Sequence, residues 1–106
     1  GDSSGVANAL GNIGAALIAL ERYTEAMQAW QTALSLLKDL GARETEAYLL
    51  SNIAKFYSGF GLLQPAQDYC SQALKLARQM NLPLLETCLA LQEELERKVG
   101  EQTTGE

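Results

Sequence analysis

The apolar positions of this chain fall three and four residues apart in five successive blocks. That spacing gathers side chains on one face of a helix. The first block, over about 5–20, puts Ala9, Leu10, Ile13, Ala16, Leu17 and Leu20 on one stripe. The second, over about 24–40, does the same with Ala26, Met27, Trp30, Ala33, Leu34 and Leu37. A third helix over 44–60 is expected to bury Leu49, Leu50, Ile53, Phe56, Tyr57 and Phe60. A fourth carries Ala66, Tyr69, Cys70, Ala73, Leu74, Ala77 and Met80, and a fifth, over 83–99, carries Leu84, Leu85, Cys88, Leu91, Leu95 and Val99. The other side of the fifth holds Glu86, Glu93, Glu94, Glu96, Arg97 and Lys98, a face suited to water.

The boundaries of these blocks carry their own signals. Asp2, Ser3 or Ser4 is a candidate cap for the first helix, and Thr24 for the second, since each offers an acceptor to unpaired N–H groups. Pro65 is expected at the first position of the fourth helix, where its missing N–H costs nothing. Gly41 and Asn81 tolerate the left-handed conformation that ends a helix. Residues 1–5 and 100–106 have little to bury and are expected to be flexible ends, leaving one domain over 6–99.

The blocks also repeat. Leu10 and Leu50, Asn12 and Asn52, Ile13 and Ile53, Ala26 and Ala66, Ala33 and Ala73, Leu34 and Leu74, and Leu36 and Leu76 all stand 40 residues apart without a gap. Gly41 and Asn81 obey the same interval. A fixed period of this size marks helix pairs that stack on their neighbours. The pairs are expected over 6–45 and 46–85, with a capping helix over 83–99. An unrelated antiparallel bundle would also show five amphipathic helices, but it has no need of a period.

The residues at these positions resemble the tetratricopeptide repeat. In the first copy they are Leu10, Ile13, Gly14, Leu17, Tyr23, Ala26, Trp30 and Ala33; in the second, Leu50, Ile53, Ala54, Tyr57, Leu63, Ala66, Cys70 and Ala73. Leu17 stands where the family has an aromatic, and Cys70 where it has a bulky residue. The period is longer than the usual one of about 34 residues. In this it is similar to the extended variety of kinesin light chains, G-protein signalling modulators and many bacterial repeat proteins. The resemblance implies an all-α, right-handed superhelix of two helix pairs plus a C-terminal capping helix.

Composition narrows the chemistry. The chain has 106 residues, of which 47% are hydrophobic, so it is long enough for a modest core. Its net charge of −5, with 8 basic residues scattered along it, disfavours nucleic acid. Its apolar runs are too short for a membrane span. Without a histidine, and with only Cys70 and Cys88 as thiols, no metal or cofactor is expected. Both cysteines fall at apolar helical positions and are expected as buried thiols rather than a disulfide. The lack of metal ligands, signal segment and span together points to a reducing cytoplasm, or to a cytoplasmic fragment. No triad or phosphate loop is present, so no enzymatic activity is expected.

The resemblance implies a concave side lined by the first helix of each pair. Its inward positions would be Asn8, Gly11, Asn12, Ala15, Ile18 and Ala19, then Tyr48, Ser51, Asn52, Lys55, Ser58 and Gly59. The last helix would offer Cys88, Leu91, Gln92, Leu95 and Val99. Asn12, Asn52 and Gln92 would then form a column, and in the extended variety such an Asn commonly holds the backbone of a bound peptide. An amide offers donor and acceptor together, matching the main chain of an extended strand. Asn8, Asn12, Tyr48, Asn52, Lys55 and Gln92 are therefore the candidate contacts for a peptide of a protein partner. The amides would otherwise tie helices together or be solvated. With Lys55 alone basic among the inward positions, a clamp for a terminal carboxylate is not expected. The other functional class is self-assembly or scaffolding through apolar residues left open on the first helix pair, as a homodimer or as part of a longer repeat array.

Overall fold

The computed structural model describes residues 3–104. It is all-α, as the periodicity predicts, with α1 (Ser3–Ala19), α2 (Tyr23–Leu40), α3 (Arg43–Gly59), α4 (Leu63–Met80) and α5 (Leu84–Thr104). The first four helices are 17, 18, 17 and 18 residues long, and each stops in the same way. Glu21, Gly41, Gly61 and Asn81, spaced by twenty, all take positive φ, at 61°, 69°, 74° and 54°. Behind each, two reverse bonds close the helix end. The N–H groups of Arg22, Ala42, Leu62 and Leu82 donate to the carbonyls of Leu17, Leu37, Tyr57 and Ala77 at 2.8–3.0 Å. Those of Glu21, Gly41, Gly61 and Asn81 donate to Ile18, Lys38, Ser58 and Arg78. Four such ends are one motif used four times, satisfying carbonyls that would otherwise lack partners.

The helix starts differ from expectation. Thr24 is not a cap: α2 begins at Tyr23 after Arg22, with no side-chain cap bond, and a bidentate Arg22–Glu25 pair at 2.6 and 2.7 Å holds the first turn instead. Pro65 is the third residue of α4, not the first. Its missing N–H still costs nothing, because the first helical bond is donated one residue later, by Ala66 N–H to Leu62. Ser3–Gly5 and Gly100–Thr104, expected from the sequence to be flexible ends, are helical. Gly100 does not turn left-handed, and the Arg97–Glu101 pair at 2.9 Å spans it, so nothing stops α5 there. The capping role of Asp2 lies outside the described residues.

The chain divides into two compact units at Leu49 and Leu50. In the first, α1 lies along α2, whose Ala26, Trp30, Ala33, Leu34 and Leu37 are buried. The closest approach is at Gly14. A Cβ there would meet the Trp30 indole, at 2.6 Å from Cδ1 and 2.9 Å from Cε2. The indole Nε1–H donates to the Gly11 carbonyl at 3.2 Å. Only two of the six residues in the expected stripe of α1 are even partly covered. Leu10 and Leu17 are partly covered, but Ala9, Ile13, Ala16 and Leu20 face outward. Seating Gly14 on Trp30 sets this rotation, and the covered side becomes Leu10, Gly14 and Leu17.

In the second unit Ala54, Leu63, Ala66, Cys70, Leu91 and Leu95 form one buried cluster from three helices, flanked by Tyr57, Tyr69 and Val99. The Tyr57 and Tyr69 rings stack at 5.7 Å. Phe60, expected inside, is exposed beyond the end of α3 but packs on Phe56 at 4.9 Å.

Candidate functional site

The outward side of α3 in the second unit is built from alternation within one helical turn. Ser51, Ile53 and Ala54 are buried, while Asn52 and Lys55, one turn apart, are exposed. Lys55 forms one wall of an open cleft of about 670 Å³. The facing wall comes from α5, through Thr87, Ala90, Glu94 and Arg97. Lys98 steadies this wall: its Nζ donates to the Ser58 Oγ at 3.1 Å and stands 3.9 Å from Glu94. Lys55 and Arg97 line the cleft together with Glu93 and Glu94, so its charge is mixed rather than set for an anion.

Beneath Lys55 lies a buried thiol pair. The Cys70 Sγ donates to the Cys88 carbonyl at 3.5 Å, and both thiols are free. Burial, and then the neighbouring Cys88, pushes the Cys70 thiol up to about 11. Burial also raises Cys88, against the pull of Ser51 and of the Lys55 ammonium. Ser51 Oγ faces that sulfur without completing a hydrogen bond by geometry, and among the described residues it is a buried polar atom with no partner.

The six candidate residues do not all share one surface. Asn52 and Lys55 are both exposed, one turn apart on α3, and Lys55 lines the cleft. Gln92 does not join them: it is half-buried in a small separate cleft with Gln67 and Ser71 of α4. Cys88, Leu91 and Leu95, expected as inward positions, are core. The reason is that the forty-residue register lapses in α5, where Ala90, Glu93 and Glu94 replace Leu50, Ile53 and Ala54. The helix turns its own apolar stripe, Leu84, Cys88, Leu91 and Leu95, to the core, and Gln92 is carried to the α4 side. Ser51 and Ser58 are likewise packed rather than open. In the first unit Asn8 and Asn12, one turn apart on α1, are both exposed, and Tyr48 is 41% exposed. Sequence reasoning misses the α5 wall. Its signal is the polar row Thr87, Glu94 and Arg97 flanking the apolar stripe.

The model of the tetratricopeptide repeat family matches residues 5–79. The chain belongs to that family. Tetratricopeptide repeat protein 19 homolog, mitochondrial, of Drosophila melanogaster is 35% identical over 74 residues, 70% of this chain. The chain spans about a fifth of the length of that relative. No solved structure matches. Tetratricopeptide repeats generally bind protein partners and are generally non-catalytic. Among the described residues no helix is long and apolar enough to cross a membrane, and no three potential ligands gather for a metal.

Proposed function

We propose that this chain is a peptide-binding module, and that an extended segment of a partner protein lies along Asn52 and Lys55 of α3. The observation that carries this is the exposure of those two side chains between buried neighbours, with Lys55 lining the cleft of about 670 Å³. The Asn52 amide would pair with peptide main chain, while Lys55 and the Glu94–Arg97 wall would select charged side chains. The mixed charge of the wall disfavours a bare terminal carboxylate, whose desolvation no cluster of cations offsets here. In the first unit the proposal keeps Asn8, Asn12 and Tyr48 as contacts in their own right; Gln92, seated against α4, is not among them. Two free thiols suit a reducing compartment such as the cytoplasm.

The test is selection from a displayed random-peptide library, followed by binding of the selected peptides to Asn52→Ala with Lys55→Ala. Capture is expected to fall at least tenfold in the double variant, with helicity and melting unchanged. Peptides that bind the double variant as well as the parent would place recognition elsewhere.

A further inference from the structure

Cys70 and Cys88 take no part in the peptide cleft, and both thiols are free although only 2% and 1% exposed. They stand side by side where α4 meets α5: the Cys70 Sγ is 3.5 Å from the carbonyl oxygen of Cys88 itself. Bond lengths keep that oxygen within about 2.7 Å of its own Cα, so the Cys70 sulfur lies within about 6 Å of the Cys88 Cα. A disulfide joins Cα atoms about 4.4–6.8 Å apart, so rotation of the two side chains brings the sulfurs within bonding reach. A charge on Cys88 is felt at Cys70, as that proximity requires.

The surroundings of the two sulfurs differ. Cys70 lines a cleft of about 60 Å³, with Gln67 and Ser71 of α4 and Gln92, Leu95 and Glu96 of α5. That space holds a few waters. Hydrogen peroxide can enter it; a tripeptide thiol or a protein disulfide cannot. Cys88 instead faces the buried Ser51 hydroxyl, which completes no hydrogen bond elsewhere, and feels the Lys55 ammonium. Both favour a thiolate at Cys88. The cysteine at the opening is the one an oxidant meets, and the other is the one equipped to attack.

We propose that the pair is an oxidation site, at which hydrogen peroxide entering the small cleft oxidises Cys70 and Cys88 then closes a disulfide that ties α5 to α4. In the first step the Cys70 thiolate attacks one peroxide oxygen. The O–O bond breaks, leaving a sulfenic acid and a hydroxide that takes up the thiol proton as water. In the second, the Cys88 thiolate attacks the oxidised sulfur; the S–S bond forms, the S–O bond breaks, and the second hydroxide leaves as water with the Cys88 proton. Two thiols lose two electrons and two protons, and one peroxide becomes two waters. Burial holds the Cys70 thiol at about 11, so little thiolate is present at pH 7 and the link answers sustained rather than brief exposure. It fixes the wall of α5 that holds Thr87 and Ala90.

Peroxide treatment of the reduced full chain tests this. Trypsin cuts after Lys55, Lys75, Arg78 and Arg97, which puts Cys70 on peptide 56–75 and Cys88 on peptide 79–97. Without reductant these two peptides are expected joined, from a monomeric chain that has lost both free thiols. The oxidised chain is expected to melt higher than the reduced one, and dithiothreitol to reverse the shift. The rate should rise about tenfold per pH unit between 7 and 9, following the thiolate. Cys88→Ala is expected to stop at a sulfenic acid on Cys70 that dimedone captures. Ser71→Trp, which fills the cleft from an exposed position, is expected to slow the link at least tenfold with helicity and melting unchanged. Thiols that survive peroxide in the folded chain but not in urea overturn the proposal. Cross-linked dimers, or a rate that Ser71→Trp leaves unchanged, overturn it equally.

Discussion

A few single atoms set how tightly this chain packs. Gly14 has no Cβ because the Trp30 indole occupies that space. Gly14→Ala gains helix propensity of roughly 1 kcal/mol but forces the indole aside and endangers its bond to Gly11, so a net loss of about 1–3 kcal/mol is expected in chemical denaturation. Trp30→Phe keeps most of the packing and is expected to lose about 1 kcal/mol, the worth of the hydrogen bond. Ser51 is the opposite case. Its buried hydroxyl has only the weakly interacting Cys88 sulfur beside it, so Ser51→Ala is expected to be neutral or stabilising by up to about 1 kcal/mol in the same measurement. The thiols give a pH dependence of known sign. The folded state holds the Cys70 proton more tightly than the unfolded chain, so that contribution is complete below the ordinary value of 9.0 and is lost as pH rises toward about 11. The melting temperature is expected to be flat at neutral pH and to fall above 9, and Cys70→Ala should shrink the fall.

At the scale of the helix, its end matters more than its beginning. The same left-handed residue with two reverse bonds closes all four inter-helix turns, while neither α2 nor α4 has a side-chain cap at its start. Gly41 and Asn81 are legible in the sequence because those residue types tolerate positive φ. Glu21 is not, since a glutamate gives no local sign of the left-handed conformation it adopts, at φ 61°. Its conformation is imposed by the bonds around it, at a cost of roughly 1 kcal/mol. Glu21→Gly is therefore expected to raise stability by about 0.5–1 kcal/mol, and Gly41→Ala, at φ 69°, to lower it by about 1 kcal/mol. Thermal melts of the two variants should move in opposite directions. Equal shifts of one sign would mean that the turns are not equivalent.

For the molecule as a whole, the forty-residue period makes the repeat and its family readable before any coordinates. The same register places Asn52 and Lys55 on an open face. Two parts escape it. On α1 the periodicity cannot tell which of two apolar rows is covered, because Gly14 contributes no hydrophobic signal and yet fixes the rotation. On α5 the expected register runs past the point where the sequence obeys it, and Gln92 is misplaced for that reason. There the helix follows its own stripe, and the consequence can be measured. Leu95 sits in the cluster with Ala54, Cys70 and Leu91, while Glu93, where the register has Ile53, points to water. Leu95→Ala is expected to cost about 2–5 kcal/mol, a large share of the roughly 5–15 kcal/mol that holds a typical domain. Glu93→Ala should stay within about 0.5 kcal/mol. In urea the Leu95 variant should unfold at a much lower midpoint with an unchanged slope, and the Glu93 variant with the parent. If Glu93→Ala proved the costlier of the two, α5 would be following the forty-residue register after all, with Gln92 returned to the face of Asn52.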